Sequence, residues 1–145
     1  DIDDTLLDFC RLEREQLLAV LRAFGERADE EIAARFHAIN DALWKALERG
    51  EITRERLVVQ RFETLKEAFG LRTRADALAV CFLDAMRSHA YLCDGAQAFL
   101  TELSRRGRLF AVTNGASRVQ RRHMEDTGIL AYFEDVFIVE EGGNQ

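Results

Sequence analysis

The chain has 145 residues, the size of one ordinary domain. Hydrophobic residues make up 48% and charged residues 32%, a soluble and globular balance. Apolar runs such as LLAVL are far shorter than the roughly 18 residues a membrane helix needs. The formal charge of −6 argues against a nucleic-acid polymer as partner. It leaves a small anionic substrate open, because a site can be locally positive on an acidic protein.

From Asp8 to about Ala90 the sequence reads as helix after helix. Leu17, Leu21 and Phe24 recur at helical spacing, and Gly25 follows as a stop. Asp29 is placed to cap a second helix whose inward stripe is Ile32, Phe36, Ile39, Leu43 and Leu47, ended by Gly50. Thr53 is placed to cap a third, with Val58, Phe62, Leu65 and Phe69 on one face and Gly70 at its close. Thr73 with Asp76 forms a capping-box pattern before a fourth, which carries Leu78, Phe82 and Met86. Four amphipathic helices with short connections predict a small antiparallel bundle.

The pattern then changes. Asp94 and Gln97 open a further helix with Phe99, Leu100 and Leu103 on its buried side and Gly107 as its stop. Leu109–Val112 is a continuous apolar run, too short for a helix, and reads as a buried parallel strand. Ser117 is placed to cap the next helix, which ends at Gly128, and Val136–Val139 reads as a second strand. This alternation predicts a doubly wound α/β sheet. Cys10, Cys81 and Cys93 show no metal spacing and read as reduced, idle thiols, which fits a cytoplasmic setting. His37, His89 and His123 lack ligand spacing and read as structural or surface groups. Arg118, Arg121 and Arg122 read as a solvated helix face, and Trp44 as packing rather than a stacking platform. There is no proline, where average usage would give about seven.

The chemistry concentrates in two places. DIDDT crowds Asp1, Asp3 and Asp4 together. Residues i and i+2 of an extended segment face the same way, so Asp1 and Asp3 can share one site. A hard divalent cation relieves their repulsion. With it, one carboxylate can attack an electrophile while the other handles protons. Thr113, Asn114 and Gly115 follow the apolar run and lead into a helix. They offer a hydroxyl and backbone N–H groups suited to a phosphate. Two plainer readings compete. The acidic stretch is also a fair helix entry with Asp4 or Thr5 as cap, and TNG is also an ordinary turn. A calcium loop is excluded, since its glycine and glutamate positions hold Leu6 and Leu12.

DIDDTLLDF resembles the DxDxT first motif of the haloacid dehalogenase-like (HAD) phosphohydrolases. LFAVTNG resembles their second motif, an apolar strand ending in Thr or Ser, and the helical insert stands where that superfamily carries an α-helical cap. INDALWKALERGEITRERL, RFETL and the run from YLCDGAQAFL to FEDVFIVEE are similar to the pyrimidine 5′-nucleotidase branch. The likeness covers essentially the whole chain. It implies an incomplete HAD-like, Rossmann-like core over residues 1–8 and 92–145, with a four-helix cap over 9–91. It implies Asp1 as the nucleophile that forms an aspartyl-phosphate, and Asp3 as general acid, then general base. Thr113, Asn114 and Gly115 would bind the phosphoryl oxygens. Mg²⁺ would sit on Asp1 and on the main-chain carbonyl of Asp3. The expected partner is a small phosphorylated metabolite, a nucleoside 5′-monophosphate first, with phosphoglycolate or sugar phosphates as rivals. A dehalogenase is a further rival, although halide needs no proton to leave and an alkoxide does, which makes Asp3 favour a phosphatase or mutase. The family's later lysine and acidic pair are not among these 145 residues. The resemblance therefore implies a segment of a longer chain that turns over slowly or not at all by itself.

Overall fold

A computed structural model describes residues 7–113 and 117–138, which separate into two compact units. One gathers the chain up to Leu12 and from Arg87 onward, and the other is Glu13–Met86. In chain order the elements are α1 (Phe9–Ala23), α2 (Glu30–Glu48), α3 (Arg54–Phe69), α4 (Ala75–Ser88), α5 (Ala96–Arg106), β1 (Phe110–Thr113), α6 (Ser117–Asp126), a 3-10 helix (Leu130–Tyr132) and β2 (Asp135–Ile138). Among the described residues no helix is long and apolar enough to cross a membrane.

The helix ends show why the chain breaks where it does. Asp29 Oδ1 accepts the N–H of Ile32 at 3.0 Å, and Thr53 Oγ1 accepts that of Arg56 at 3.2 Å. Each satisfies a donor that an α-helix start leaves without a partner. Gly70 closes α3 in the left-handed region at φ 64°, a conformation glycine adopts without a Cβ penalty. The expected box at α4 is not formed. Thr73 instead donates its hydroxyl and its N–H to Glu26 Oε2, both at 2.6 Å, and Arg72 N–H donates to the same oxygen at 2.9 Å. Asp76 is held by Arg74. A carboxylate brought in from the α1–α2 loop offers the two backbone N–H groups more than a neighbouring side chain can.

The helical unit packs around Leu17 and Leu21 of α1, Ile32 and Phe36 of α2, Phe62 and Leu65 of α3, and Leu78 and Phe82 of α4, all fully buried. The rings of Phe36, Phe62 and Phe82 form a triangle with centroids 5.0, 5.3 and 5.5 Å apart, in tilted and edge-on geometries. Such pairs add to the hydrophobic gain of burying the rings. Three expectations need correction. Phe24 lies past the end of α1 and is exposed. The buried face of α3 is led by Leu57 and Arg61, with Val58 and Phe69 only half-buried. The stripe on α2 is buried at Ile32 and Phe36 but only half-buried from Ile39 onward, where Asn40 is the buried residue.

In the other unit β1 and β2 run parallel, with Ala111 opposite Val136 and Thr113 opposite Ile138. Ala111 and Val136 pack on Ala96 and Leu100 of α5, Met124 of α6, and Ile129 and Leu7. Among the described residues the buried side chains of the sheet lie on that face. Phe110, Val112 and Phe137 alternate to the other side and are more than half exposed, so the expected strand buried on both faces becomes a one-sided one. On α5, Phe99 points outward, and Gly95 stands at the cap position in place of Asp94.

Two outcomes follow for stability. Phe62→Ala opens a cavity in the ring triangle and costs about 3–5 kcal/mol, read from denaturant unfolding; an unchanged midpoint would remove the triangle from the core. The second concerns Glu26. The Thr73 hydroxyl, then the Thr73 and Arg72 N–H groups, hold its carboxyl below the ordinary 4.5. The folded state thus favours the ionised form, and its contribution is complete above that value and fades as pH falls through the lowered one. Glu26→Gln should lower stability by about 1 kcal/mol at neutral pH, with the gap closing in acid. A gap that stays constant from pH 7 to 3 contradicts this.

Candidate active site

The acidic motif enters the described structure through Leu7 and Asp8. Leu7 is buried, forms an antiparallel bridge with Leu92, and shares its apolar cluster with Ala111 of β1 and Val136 of β2. The Asp8 N–H donates to the Tyr91 carbonyl at 2.7 Å. Asp8 itself caps α1: its Oδ1 accepts the N–H of Arg11 at 3.0 Å and its carbonyl accepts that of Leu12 at 3.1 Å. The helix start is therefore satisfied without Asp4 or Thr5. The cap of α1 is thus Asp8 rather than Asp4 or Thr5.

Asp1, Asp3, Asn114 and Gly115 lie outside the described residues. Thr113 is described in its backbone alone, as the last residue of β1, two positions beyond the buried Ala111. The framework on either side of the two motifs, Leu7 and Ala111, thus belongs to one packed cluster. The donor chemistry suits the implied metal: Asp1 and Asp3 bring carboxylate oxygen, which Mg²⁺ prefers. Among the described residues no group of three or more His, Cys, Asp and Glu side chains could hold a metal ion.

The remaining candidates fall into place as structure. Arg121 and Arg122 are exposed, and Arg122 lies 3.7 Å from Asp126. His123 is buried. Trp44 is half-buried with the Arg54 guanidinium 5.7 Å from its ring. Cys10 and Cys81 are exposed, Cys93 is half-buried, and none of the three is in a disulfide.

The apolar patterns missed a polar chain inside the helical unit. Glu13 of α1 is buried; its Oε1 accepts Asn40 Nδ2 at 2.6 Å and its Oε2 lies 2.9 Å from His37 Nδ1. Asn40 Oδ1 accepts Arg61 Nη1 at 3.2 Å. The Arg61 guanidinium lies 4.9 Å from the centre of the Phe82 ring and 5.9 Å from those of Phe36 and Phe62. Burial pulls its pKa down to about 10, against the opposing charge of Glu13, so it stays cationic at neutral pH. Spacing was the only available signal. Leu57, Arg61 and Leu65 recur every fourth residue, which is the pattern of a buried face with a charge in its middle.

Known proteins place this framework. The family model of the haloacid dehalogenase-like hydrolases matches residues 1–144. The HAD-hydrolase YfnB of Bacillus subtilis is 31% identical over 145 residues, covering 100% of this chain and 62% of YfnB. The pyrimidine 5′-nucleotidase PynA of Streptococcus pneumoniae is 32% identical over 142 residues, covering 97% of this chain and 60% of PynA. The pyrimidine 5′-nucleotidase YjjG of Escherichia coli is 30% identical over 146 aligned positions, covering 99% of this chain and 62% of YjjG. A crystal structure of YfnB bound to magnesium matches with a TM-score of 0.81 over 95% of this chain and 62% of that one. The chain spans about three-fifths of the length of these curated relatives. A family match that runs from Asp1 nearly to the last residue, with a solved family structure that superposes over 95% of the chain, makes this chain a member of the haloacid dehalogenase-like hydrolase family.

Proposed function

We propose that the whole protein hydrolyses phosphomonoesters through an aspartyl-phosphate on Asp1, and that its substrates are pyrimidine nucleoside 5′-monophosphates. The observation that carries the reading is the acid pair. Asp1 supplies a nucleophile, and Asp3, two residues on, supplies the proton that an alkoxide leaving group requires and a halide does not. The substrate class follows from PynA and YjjG, which are pyrimidine 5′-nucleotidases. Leu7 and Ala111 support it by tying the surroundings of both motifs to one core.

A carboxylate oxygen of Asp1 attacks phosphorus. The bond to the leaving oxygen breaks, and Asp3 gives that oxygen its proton. Asp3, now ionised, takes a proton from water as the water oxygen attacks phosphorus. The bond from Asp1 to phosphorus breaks, which frees phosphate and restores both acids. The Thr113 hydroxyl and the Asn114 and Gly115 N–H groups donate to the phosphoryl oxygens through both steps. Mg²⁺ held by the Asp1 side chain and the Asp3 carbonyl would neutralise charge between carboxylate and phosphate. In this reading the helical unit is the cap, and its residues choose the leaving group, since fold alone does not fix substrate.

A panel of phosphomonoesters assayed with Mg²⁺ tests the substrate. Nucleoside monophosphates should be turned over ahead of phosphoglycolate and sugar phosphates, and an absence of that preference refutes the substrate class. Asp1→Asn should remove activity by about 10³-fold or more, and Asp3→Asn by roughly 10²- to 10⁴-fold. Chelation should abolish turnover and added Mg²⁺ restore it. Halide release from a haloacid that survives Asp3→Asn would identify a dehalogenase instead.

A further inference from the structure

Helix α1 is one continuous element of 15 residues, yet its first turn and its later turns belong to different units. Residues up to Leu12 count with the α/β unit, and those from Glu13 onward with the helical unit. Along an α-helix each turn is hydrogen-bonded to the one before, so a displacement of the later turns is carried to the first. Directly ahead of that first turn stand Leu7 and Asp8, and ahead of them Asp1, Asp3 and Asp4. Carboxylates that do chemistry must be held within about 0.5 Å of their working positions. The chain between motif and helix therefore needs an anchor of its own.

The structure shows a closed cycle of three residues at that place, all in the α/β unit. Asp8 Oδ1 accepts the Arg11 N–H at 3.0 Å. The Arg11 guanidinium lies 4.4 Å from the centre of the Tyr91 ring. The Tyr91 carbonyl accepts the Asp8 N–H at 2.7 Å. Each residue holds the next, and the last returns to the first. The Leu7–Leu92 bridge flanks the cycle on the side of the acidic motif. Backbone groups at positions 11 and 91 would serve the two hydrogen bonds whatever side chains stood there. What Arg11 and Tyr91 add is the third link, from the first turn of α1 to the chain that returns after α4. A guanidinium is drawn to the face of an aromatic ring and stacks on it as an ammonium does not. Arg11 is exposed and Tyr91 half-buried, so the stack fills no core.

We propose that Arg11 and Tyr91 are positioning residues, whose stack clamps the start of α1 to the returning chain and keeps the acidic motif in place against movement of the later turns of α1. The proposal rests on the phosphatase reading above, under which Asp1 and Asp3 carry the reaction.

The test compares Arg11→Met, Tyr91→Leu, the two combined, and Tyr91→Phe with the unaltered whole protein, in steady-state kinetics on p-nitrophenyl phosphate with Mg²⁺. Each of the first two should lower kcat by about tenfold or more, with KM within twofold. The combined variant should be no slower than the slower single one, since either change breaks the same link. Tyr91→Phe, which keeps the ring face, should stay within threefold of the unaltered kcat. Unchanged kcat in both single variants, multiplying losses in the combined one, or a Tyr91→Phe loss equal to that of Tyr91→Leu overturns the proposal. So does melting of the single variants below the assay temperature, because the pair is then structural. Amide hydrogen exchange over residues 1–8 reads the clamp without activity. It should quicken severalfold in Arg11→Met and Tyr91→Leu, and an unchanged rate overturns the proposal. If the unaltered protein releases phosphate from no phosphomonoester, the phosphatase reading fails separately, and the exchange rates alone decide the clamp.

Discussion

Two backbone pairings next to the acidic motif set the terms for everything else. The Leu7–Leu92 bridge and the 2.7 Å hydrogen bond from Asp8 N–H to the Tyr91 carbonyl fasten the chain's exit toward α1 to its return after α4. Closing a loop costs entropy that grows only slowly with its length. Once the crossing is pinned, an insertion as long as Glu13–Met86 is tolerated almost as readily as a short one, provided that it brings its own core. The phenylalanine triangle supplies that core. Leu7 meanwhile stays in the cluster that carries the sheet, so the residues following the acidic motif answer to the α/β unit.

Much of the helical architecture was legible because it rests on local rules. Asp29, Thr53 and Gly70 act at the helix ends where their chemistry predicts, and Ile32, Phe36, Leu78 and Phe82 are buried where periodicity puts them. The apolar failures share one cause, which is that apolar character does not say which way a side chain faces. Phe24 and Phe99 are large and apolar, yet they sit beyond a helix end and on an outer face. Thr73 was misread because its partner, Glu26, lies 47 residues away, out of reach of any local pattern.

The polar residues divide along the same line. Asp1, Asp3 and Thr113 were legible as a motif, since closely spaced carboxylates and a strand-end hydroxyl have a specific chemistry and a family that uses it. Glu13, Asn40 and Arg61 were not. Each is of a type usually found at the surface, and they come from three helices whose association only the fold reveals. Buried ionic groups are seldom the most stable way to fill a core, and replacing them with well-packed apolar residues is often neutral or favourable.

The open side of the β1–β2 sheet has a practical consequence. Phe110 and Phe137 stand 6.2 Å apart with Val112 beside them, and all three meet water. A contiguous greasy patch on exposed strands invites self-association. Preparations of these residues by themselves should grow cloudier as concentration and ionic strength rise, and a charged side chain at position 112 should keep them clear.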